Sequence, residues 1–153
     1  MKPVASAAGR PYAAQLATDT RLDTKVRTMI SYSTLGTNDM QRSISFYDPV
    51  LGALGGKRIE TSETWTGYGR KGDRGMFFLT RPFDHRPATA GNGAMLAILA
   101  DDRASVDAFH AAALSHGGTC EGPPGLREGM NPVFYAAYVR DPDGNKLCAY
   151  VRK

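Results

Sequence analysis

Apolar and polar residues alternate along positions 29–36, and this period of two predicts a β-strand. The period then changes, because apolar residues at 40, 44, 47 and 51 recur at helical spacing after an Asn38-Asp39 N-cap. Pro49 lies inside this helix and predicts an early end or a kink. Three short strands are predicted next, at 57–61, 65–70 and 75–80, with a tight turn at 71–75. The first part of the chain is therefore predicted to be βαβββ.

The same order of elements recurs about 63 residues later. Residues 92–117 repeat the pattern of residues 29–54, so that Asp39 corresponds to Asp102. The second copy predicts a strand at 94–100, a helix over 103–115 with its N-cap at 101 or 102, and strands at 119–121, 133–140 and 146–151. This repetition predicts that the chain contains two copies of one small module.

Glycine and proline mark the boundaries between the predicted elements. Gly117-Gly118 predicts the end of the second helix, and residues 122–132 (GPPGLREGMNP) predict a long loop. The sequence DPDGN at 141–145 predicts a hairpin between the last two strands. The modules, about 29–81 and 93–152, are joined by a connector rich in proline and glycine and together predict one α+β domain over 29–152. Residues 1–28 have no lasting period, and we expect a flexible N-terminal tail.

Composition narrows the range of functions. The 153 residues include 42% hydrophobic and 22% charged residues, which is typical of a globular domain. The net charge of +4 is spread along the chain, so we expect no nucleic-acid partner. No signal peptide or membrane-spanning stretch is evident, and two cysteines, Cys120 and Cys148, form no disulfide framework. These features predict a cytoplasmic protein without a membrane partner.

Three segments carry a resemblance to a known family: ISYSTLGTND with SISFYDPVLGALGG, GNGAMLAILADDRASVDAFHAAALSHGG, and FYAAYVRDPDGNKLCAY. Over about 29–152 the chain resembles the glyoxalase/bleomycin resistance/extradiol dioxygenase (vicinal oxygen chelate) superfamily, and most of all its uncharacterised glyoxalase-like branch. The resemblance implies that two βαβββ modules form a curled half-barrel-type sheet around a cavity. It also implies a homodimer and a divalent metal held by the first and last strands of each module.

The positions that correspond to the family's metal ligands hold other residues. The resemblance places the ligand of the first strand at Tyr32, that of the fifth strand at Met95 and that of the last strand at Cys148. The fourth falls on Phe77 or Phe78. A thioether and a neutral phenol are poor ligands for hard or borderline divalent ions. We therefore predict no metal site and no cofactor.

Without a metal, the cavity is predicted to be apolar and aromatic. An aromatic pocket of this kind suits a flat or amphipathic small-molecule ligand. A loop arginine, Arg81 or Arg127, is predicted to pair with an anionic group, and Tyr135 is placed near the mouth. The candidate ligand-binding residues are Tyr32, Thr34, Trp65, Tyr68, Phe78, Met95, Tyr138 and Cys148.

The histidines contribute little to these predictions. His110 and His116 are six residues apart on the second helix and do not share a face, which argues against joint metal ligation. Both are expected at the surface or at a helix end. His85 lies in the connector, where we expect a solvated turn.

Three functions remain open at this point. The first hypothesis is a metal-free protein that binds a small organic ligand, like the bleomycin-binding members of the family. The second is a metal-dependent lyase of the lactoylglutathione lyase type, or a dioxygenase, whose ligands lie elsewhere in the chain. The third is an enzyme in which Cys148 or Tyr32 acts as acid, base or nucleophile. The sequence leaves the catalytic residues, and whether the protein is an enzyme, undecided.

Overall fold

The structure, a computed structural model, describes residues 29–130 and 133–152. The predicted tail at 1–28 lies outside the described residues. Within these residues, eight strands and two helices follow one another in the predicted order, βαβββ twice. They are β1 (Tyr32–Gly36), α1 (Met40–Gly52), β2 (Lys57–Thr61), β3 (Trp65–Gly69), β4 (Met76–Thr80), β5 (Leu96–Leu99), α2 (Arg103–Ser115), β6 (Thr119–Leu126), β7 (Phe134–Arg140) and β8 (Lys146–Arg152).

Each module forms one four-stranded sheet with the same strand order. The first sheet runs β1-β4-β3-β2 and the second runs β5-β8-β7-β6. In each sheet the first strand pairs parallel to the last strand of its own module, and the other pairs are antiparallel. The predicted α+β fold, with two βαβββ modules that each contribute one curled sheet, is confirmed.

The helices define two different faces on each sheet. Strand residues that point toward α1 and α2, such as Leu79, Val139 and Leu147, are fully buried in one core shared with Phe46 and Phe109. Because successive side chains of a strand point to opposite sides, the residues between them lie on the other face. We call this other side the open face. It carries most of the residues proposed above as ligand-binding.

Both helices begin at the aspartates that the repeat brings into correspondence. The Asp39 side chain accepts a hydrogen bond from the backbone N–H of Arg42 at 3.0 Å, and Asp102 accepts one from Ser105 at 2.8 Å. These contacts satisfy N–H groups that have no partner within the helix. The N-cap of α2 is therefore Asp102 rather than Asp101.

The early helix end predicted at Pro49 and the loop predicted at Pro123-Pro124 are wrong. Helix α1 continues through Pro49 to Gly52, because Val50 and Leu51 are buried in the core and hold the last turn in place. Strand β6 runs on through Pro123 and Pro124, where only a loop was predicted. Proline lacks a backbone donor and is tolerated on edge strands and at bulges. β6 is an edge strand, and its pairing with β7 shifts register on both sides of Gly122.

The hairpin after β7 joins the two modules. The hydroxyl of Tyr47 on α1 donates to Asp141 at 2.7 Å, and the Asn145 side-chain amide donates to the backbone carbonyl of Gly36 at 3.0 Å. Both contacts are buried or partly buried, so they act in surroundings with little water. The turn predicted from DPDGN is therefore also a bridge from the second module to β1 and α1 of the first.

Candidate functional site

A cavity of about 610 Å³ lies between β1 and β5, the edge strands of the two sheets. Its size falls within the range of roughly 300–1,000 Å³ found for small-molecule sites. Backbone and side chains of 30–33 form one wall and those of 95–99 form the opposite wall. The remaining lining is mostly apolar and comes from the end of α1 and from β3 and β4, including Leu51, Leu54, Tyr68, Met76 and Phe77.

Arg70 lines the cavity and connects its two walls. The Arg70 Nε donates to Asp73 at 2.9 Å, while Nη1 lies 3.2 Å from Oδ1 of Asp101 and 3.4 Å from the carbonyl of Leu99. Asp101 follows β5, whereas Arg70 follows β3. The arginine therefore spans the gap between the modules and fixes one end of the cavity.

Four of the predicted ligand-binding residues share the open face of the first sheet. Tyr32 and Thr34 are two residues apart on β1 and therefore point to the same side. Phe78 lies beside Thr34 on the neighbouring strand β4, and Trp65 lies on β3. The Phe78 ring makes edge contacts with Tyr32 and with Trp65, each at 5.6 Å between ring centroids. The structure thus brings three predicted aromatic residues together, and it identifies Phe78 rather than Phe77 as the neighbour of Tyr32 on this face.

A glycine makes room for this aromatic group. Gly67 lies directly opposite Phe78 in the β3–β4 pair, and a Cβ at Gly67 would lie 2.8 Å from the Phe78 ring. That distance is shorter than a carbon–carbon contact allows. The absence of a side chain at 67 therefore lets the phenyl ring lie across the neighbouring strand.

Tyr68 lies on the opposite face of β3. Its ring stacks with Phe77 at 6.0 Å and packs near Tyr47, and only 2% of Tyr68 is exposed. The hydroxyl donates to Asp48 at 2.9 Å, and burial together with this hydrogen bond raises the Tyr68 pKa far above its usual value. Tyr68 reaches the cavity from the core side and remains a neutral phenol.

The other three predicted residues lie on the open face of the second sheet. Met95 precedes β5 and lines the cavity, while Cys148 on β8 pairs in register with Tyr138 on β7 and with Ala97 on β5. Cys148 is 1% exposed, and burial raises its pKa to about 11 even though Tyr138 and two nearby cations act in the other direction. The thiol is therefore protonated at neutral pH and is not an activated nucleophile.

The positions that correspond to the family's metal ligands do not form a suitable donor set. Tyr32, Phe78, Met95 and Cys148 all lie on or beside the open faces, but they offer a phenol, a phenyl ring, a thioether and a protonated thiol. Within residues 29–130 and 133–152, no three His, Cys, Asp or Glu side chains come together in a way that could hold a metal ion. The residues present do not fit a divalent metal at this place.

One histidine contact escaped the sequence analysis. The His110 Nε2 lies 3.2 Å from the Sγ of Cys120, which is exposed on β6. Burial lowers the pKa of His110, so the imidazole is neutral and does not stabilise a thiolate. His116 contacts the carbonyl of Ala112 near the end of α2, and His85 lies exposed in the connector. None of the three lines the cavity described above.

Comparisons with known proteins agree with this description. The family model "Glyoxalase/Bleomycin resistance protein/Dioxygenase superfamily" matches residues 29–149, and the chain belongs to this family. A solved glyoxalase/bleomycin resistance protein from Albidiferax ferrireducens T118 is 42% identical, with a TM-score of 0.75 over 82% of this chain and 100% of that one. Among the curated proteins, none matches the sequence.

More distant solved structures share the fold alone. A glyoxalase/bleomycin resistance protein/dioxygenase family enzyme from Burkholderia phytofirmans PsJN is 20% identical, with a TM-score of 0.64 over 80% of this chain and 98% of that one. A lactoylglutathione lyase from Agrobacterium tumefaciens is 21% identical, with a TM-score of 0.59 over 83% of this chain and 96% of that one. In the part of the chain that the structure describes, no helix is long and apolar enough to cross a membrane.

Proposed function

We propose that this chain binds a small amphipathic organic ligand in the cavity between β1 and β5, and that binding requires no metal. The observation that carries the proposal is the cavity itself, whose volume of about 610 Å³ suits a small molecule and whose walls are largely apolar. Tyr32 and Met95, at positions where the family resemblance implies metal ligands, contribute an aromatic ring and a flexible thioether to its lining. Such side chains adapt to flat, apolar molecules.

The chemistry of the available residues favours binding over catalysis. A lyase or dioxygenase of the family type needs a metal that polarises substrate oxygens. The residues at the ligand positions do not suit one, as argued above. Cys148 is buried and its pKa is raised to about 11, because the effect of burial outweighs that of the nearby Arg127 and Lys146, so its thiol is a poor nucleophile at neutral pH. Both cysteines are free thiols, which agrees with a reducing compartment such as the cytoplasm.

A neutral fluorescent probe tests this proposal. N-phenyl-1-naphthylamine fluoresces strongly in apolar surroundings, and we expect saturable binding of one probe per chain. Ala97 lines the cavity, and Ala97→Phe should weaken binding at least about tenfold because the new ring occupies the space of the ligand. Ala108 is exposed on α2, so Ala108→Phe adds the same ring outside the cavity and serves as the control. Equal binding by the two variants would contradict the proposal.

We further propose that two copies of the chain associate through their open faces. Tyr32, Met95 and Leu99 are each about half exposed or more, and a soluble monomer seldom leaves such a group uncovered. A second copy would cover these residues and shield the cavity from water. Sedimentation equilibrium should give twice the chain mass of 16.5 kDa, and Leu99→Glu should shift the mass toward the monomer. A wild-type protein that stays monomeric at high concentration would contradict this association.

A further inference from the structure

The open face of the second sheet holds an arginine without an acidic partner. Arg127 donates from one nitrogen, Nη2, to the carbonyls of Pro123 at 2.5 Å and Ala136 at 2.7 Å. Its guanidinium carbon lies 4.9 Å from the centre of the Tyr138 ring, and its Nε is buried without a hydrogen-bond partner among the described residues. No carboxylate in the described part of the chain forms an ion pair with Arg127. The guanidinium is held in place, but its charge is not compensated.

Other cations lie beside the same tyrosine. The Lys146 Nζ lies 5.5 Å from the centre of the Tyr138 ring. Lys146 and Arg140 share a single carboxylate, that of Glu121, at 3.2 Å and 2.8 Å. Three positive groups thus face one negative group, which leaves an excess of positive charge around Tyr138. A partly buried cation without a counter-ion is costly, and an incoming anion relieves that cost.

This charged group lies on the open face, two strands away from the cavity wall. Tyr138, Cys148 and Ala97 lie side by side on β7, β8 and β5, and Ala97 lines the cavity. Neighbouring strands are about 4.8 Å apart, so Tyr138 lies about 10 Å from the cavity wall. Arg127 and Lys146 both act to lower the pKa of Cys148, against the larger effect of its burial. A ligand that reaches the charged group from the cavity must therefore extend about 10 Å along the open face, over the covered side chain of Cys148.

We infer that the ligand is an organic carboxylate whose acidic group binds between Arg127 and Lys146 beside the Tyr138 ring. Its apolar part occupies the cavity between β1 and β5, so this inference rests on the proposed function. A planar guanidinium pairs well with a carboxylate through two parallel N–H groups, and a lysine adds a compact charge. The ring of Tyr138 supplies a flat surface for both cations. A neutral ligand of the same shape leaves Arg127 without a counter-ion among the described residues.

Two probes that differ by one acidic group test the inference. The first is 11-(dansylamino)undecanoic acid, a fluorescent probe whose carboxylate is separated from its aromatic ring by a ten-carbon chain long enough to span the distance from the cavity wall to Tyr138, and the second is its neutral methyl ester. We expect the wild-type protein to bind the anionic probe about tenfold more tightly than the neutral one, the gain typical of a charge-assisted hydrogen bond. Arg127→Met and Lys146→Met should each reduce this preference, the ratio of the two affinities, several-fold.

A control variant and three defined outcomes make the result decisive. Arg103 stacks on Tyr135 at 5.1 Å near α2, away from the open face, so Arg103→Met is a matched control and should keep the preference. Arg127 also holds β6 to β7, and Lys146→Met tests the same charge effect without touching those contacts. An equal affinity for both probes, or an undiminished preference in the folded Lys146→Met variant, would overturn the inference. Failure to bind even the neutral probe would instead refute the proposed function.

Discussion

Replacing Asp143 by asparagine is expected to lower the free energy of unfolding by about 2–3 kcal/mol. The Asp143 side chain is only 2% exposed, and its Oδ1 accepts hydrogen bonds from the backbone and side chain of Asn38 and from Arg42. Its other oxygen accepts from the hydroxyls of Thr37 and Ser43. An asparagine has one acceptor oxygen and no charge, so it cannot satisfy both groups of donors. Urea denaturation of the two proteins measures the difference.

The same carboxylate makes stability depend on pH in a defined direction. Burial alone raises the pKa of Asp143, but hydrogen bonds from Thr37 and Asn38 and the charge of Arg42 lower it, and the net pKa lies below its usual value. A depressed folded-state pKa contributes stability above the unfolded pKa of about 3.9, and this contribution is lost as the pH falls through the folded pKa. The Asp143→Asn variant should lack this loss on acidification.

A surface aspartate provides the control for Asp143. Asp84 is 58% exposed and lies 3.8 Å from Arg86 in the connector, so its removal takes away one weak, solvated contact. Asp84→Asn should change the free energy of unfolding by less than about 0.5 kcal/mol. Similar losses in Asp143→Asn and Asp84→Asn would show that the hairpin contact does not hold the modules together.

Replacing Phe46 by alanine should cost about 3–5 kcal/mol of unfolding free energy. Phe46 on α1 is fully buried, and its ring makes an edge contact with Tyr47 at 5.0 Å between centroids. The ring also reaches the second module, since a Cβ added at Gly118 would lie 2.8 Å from it. Removal of the ring leaves a cavity between α1 and the end of α2. Chemical denaturation monitored by circular dichroism measures the loss.

The connector supplies a phenylalanine in the opposite situation. Phe83 is fully exposed, with no neighbours that bury its ring, and Phe83→Ala should leave the free energy of unfolding within about 0.5 kcal/mol of the wild type. A loss below about 1 kcal/mol for Phe46→Ala would mean that the junction between the modules is loosely packed. In that case the cavity between β1 and β5 would lack the rigid frame that the proposal assumes.

The order of secondary structure could be predicted because each element depends on local spacing. The change from a period of two to a helical period located β1 and α1, and the repeat carried the same order to β5 and α2. The errors lay at Pro49 and at Pro123-Pro124. The energetic cost of a proline in a helix or strand is a local property. The burial of Val50 and Leu51 and the edge position of β6, which offset or avoid that cost, depend on the whole fold.

The alternation of side chains along a strand could predict which site residues share one face of a sheet, and little more of the site. Tyr32, Thr34, Phe78 and Trp65 share one face in the structure. Tyr68 lies three residues after Trp65, and this odd spacing already placed it on the opposite face of a regular strand. Parity along the strand could therefore have separated Tyr68 from the open-face residues.

Other parts of the site depend on contacts between modules. Residues at the end of α1 line the same cavity as residues 95–99 of the second module. Arg70 of the first module contacts Asp101 of the second, 31 positions later in the chain. The hairpin at 141–145 was predicted as a turn, but its hydrogen bond with the Tyr47 hydroxyl joins residues that are 94 positions apart. No local pattern encodes such pairings, and they could be found only in the folded structure.

The central claim is that the cavity binds an organic ligand without a metal. The most direct measurement is a titration of N-phenyl-1-naphthylamine into protein dialysed against a chelator, repeated after addition of excess Zn²⁺. We predict the same saturable binding, one probe per chain, in both titrations. Binding that is absent from the chelated protein and appears only after Zn²⁺ is restored would contradict the account.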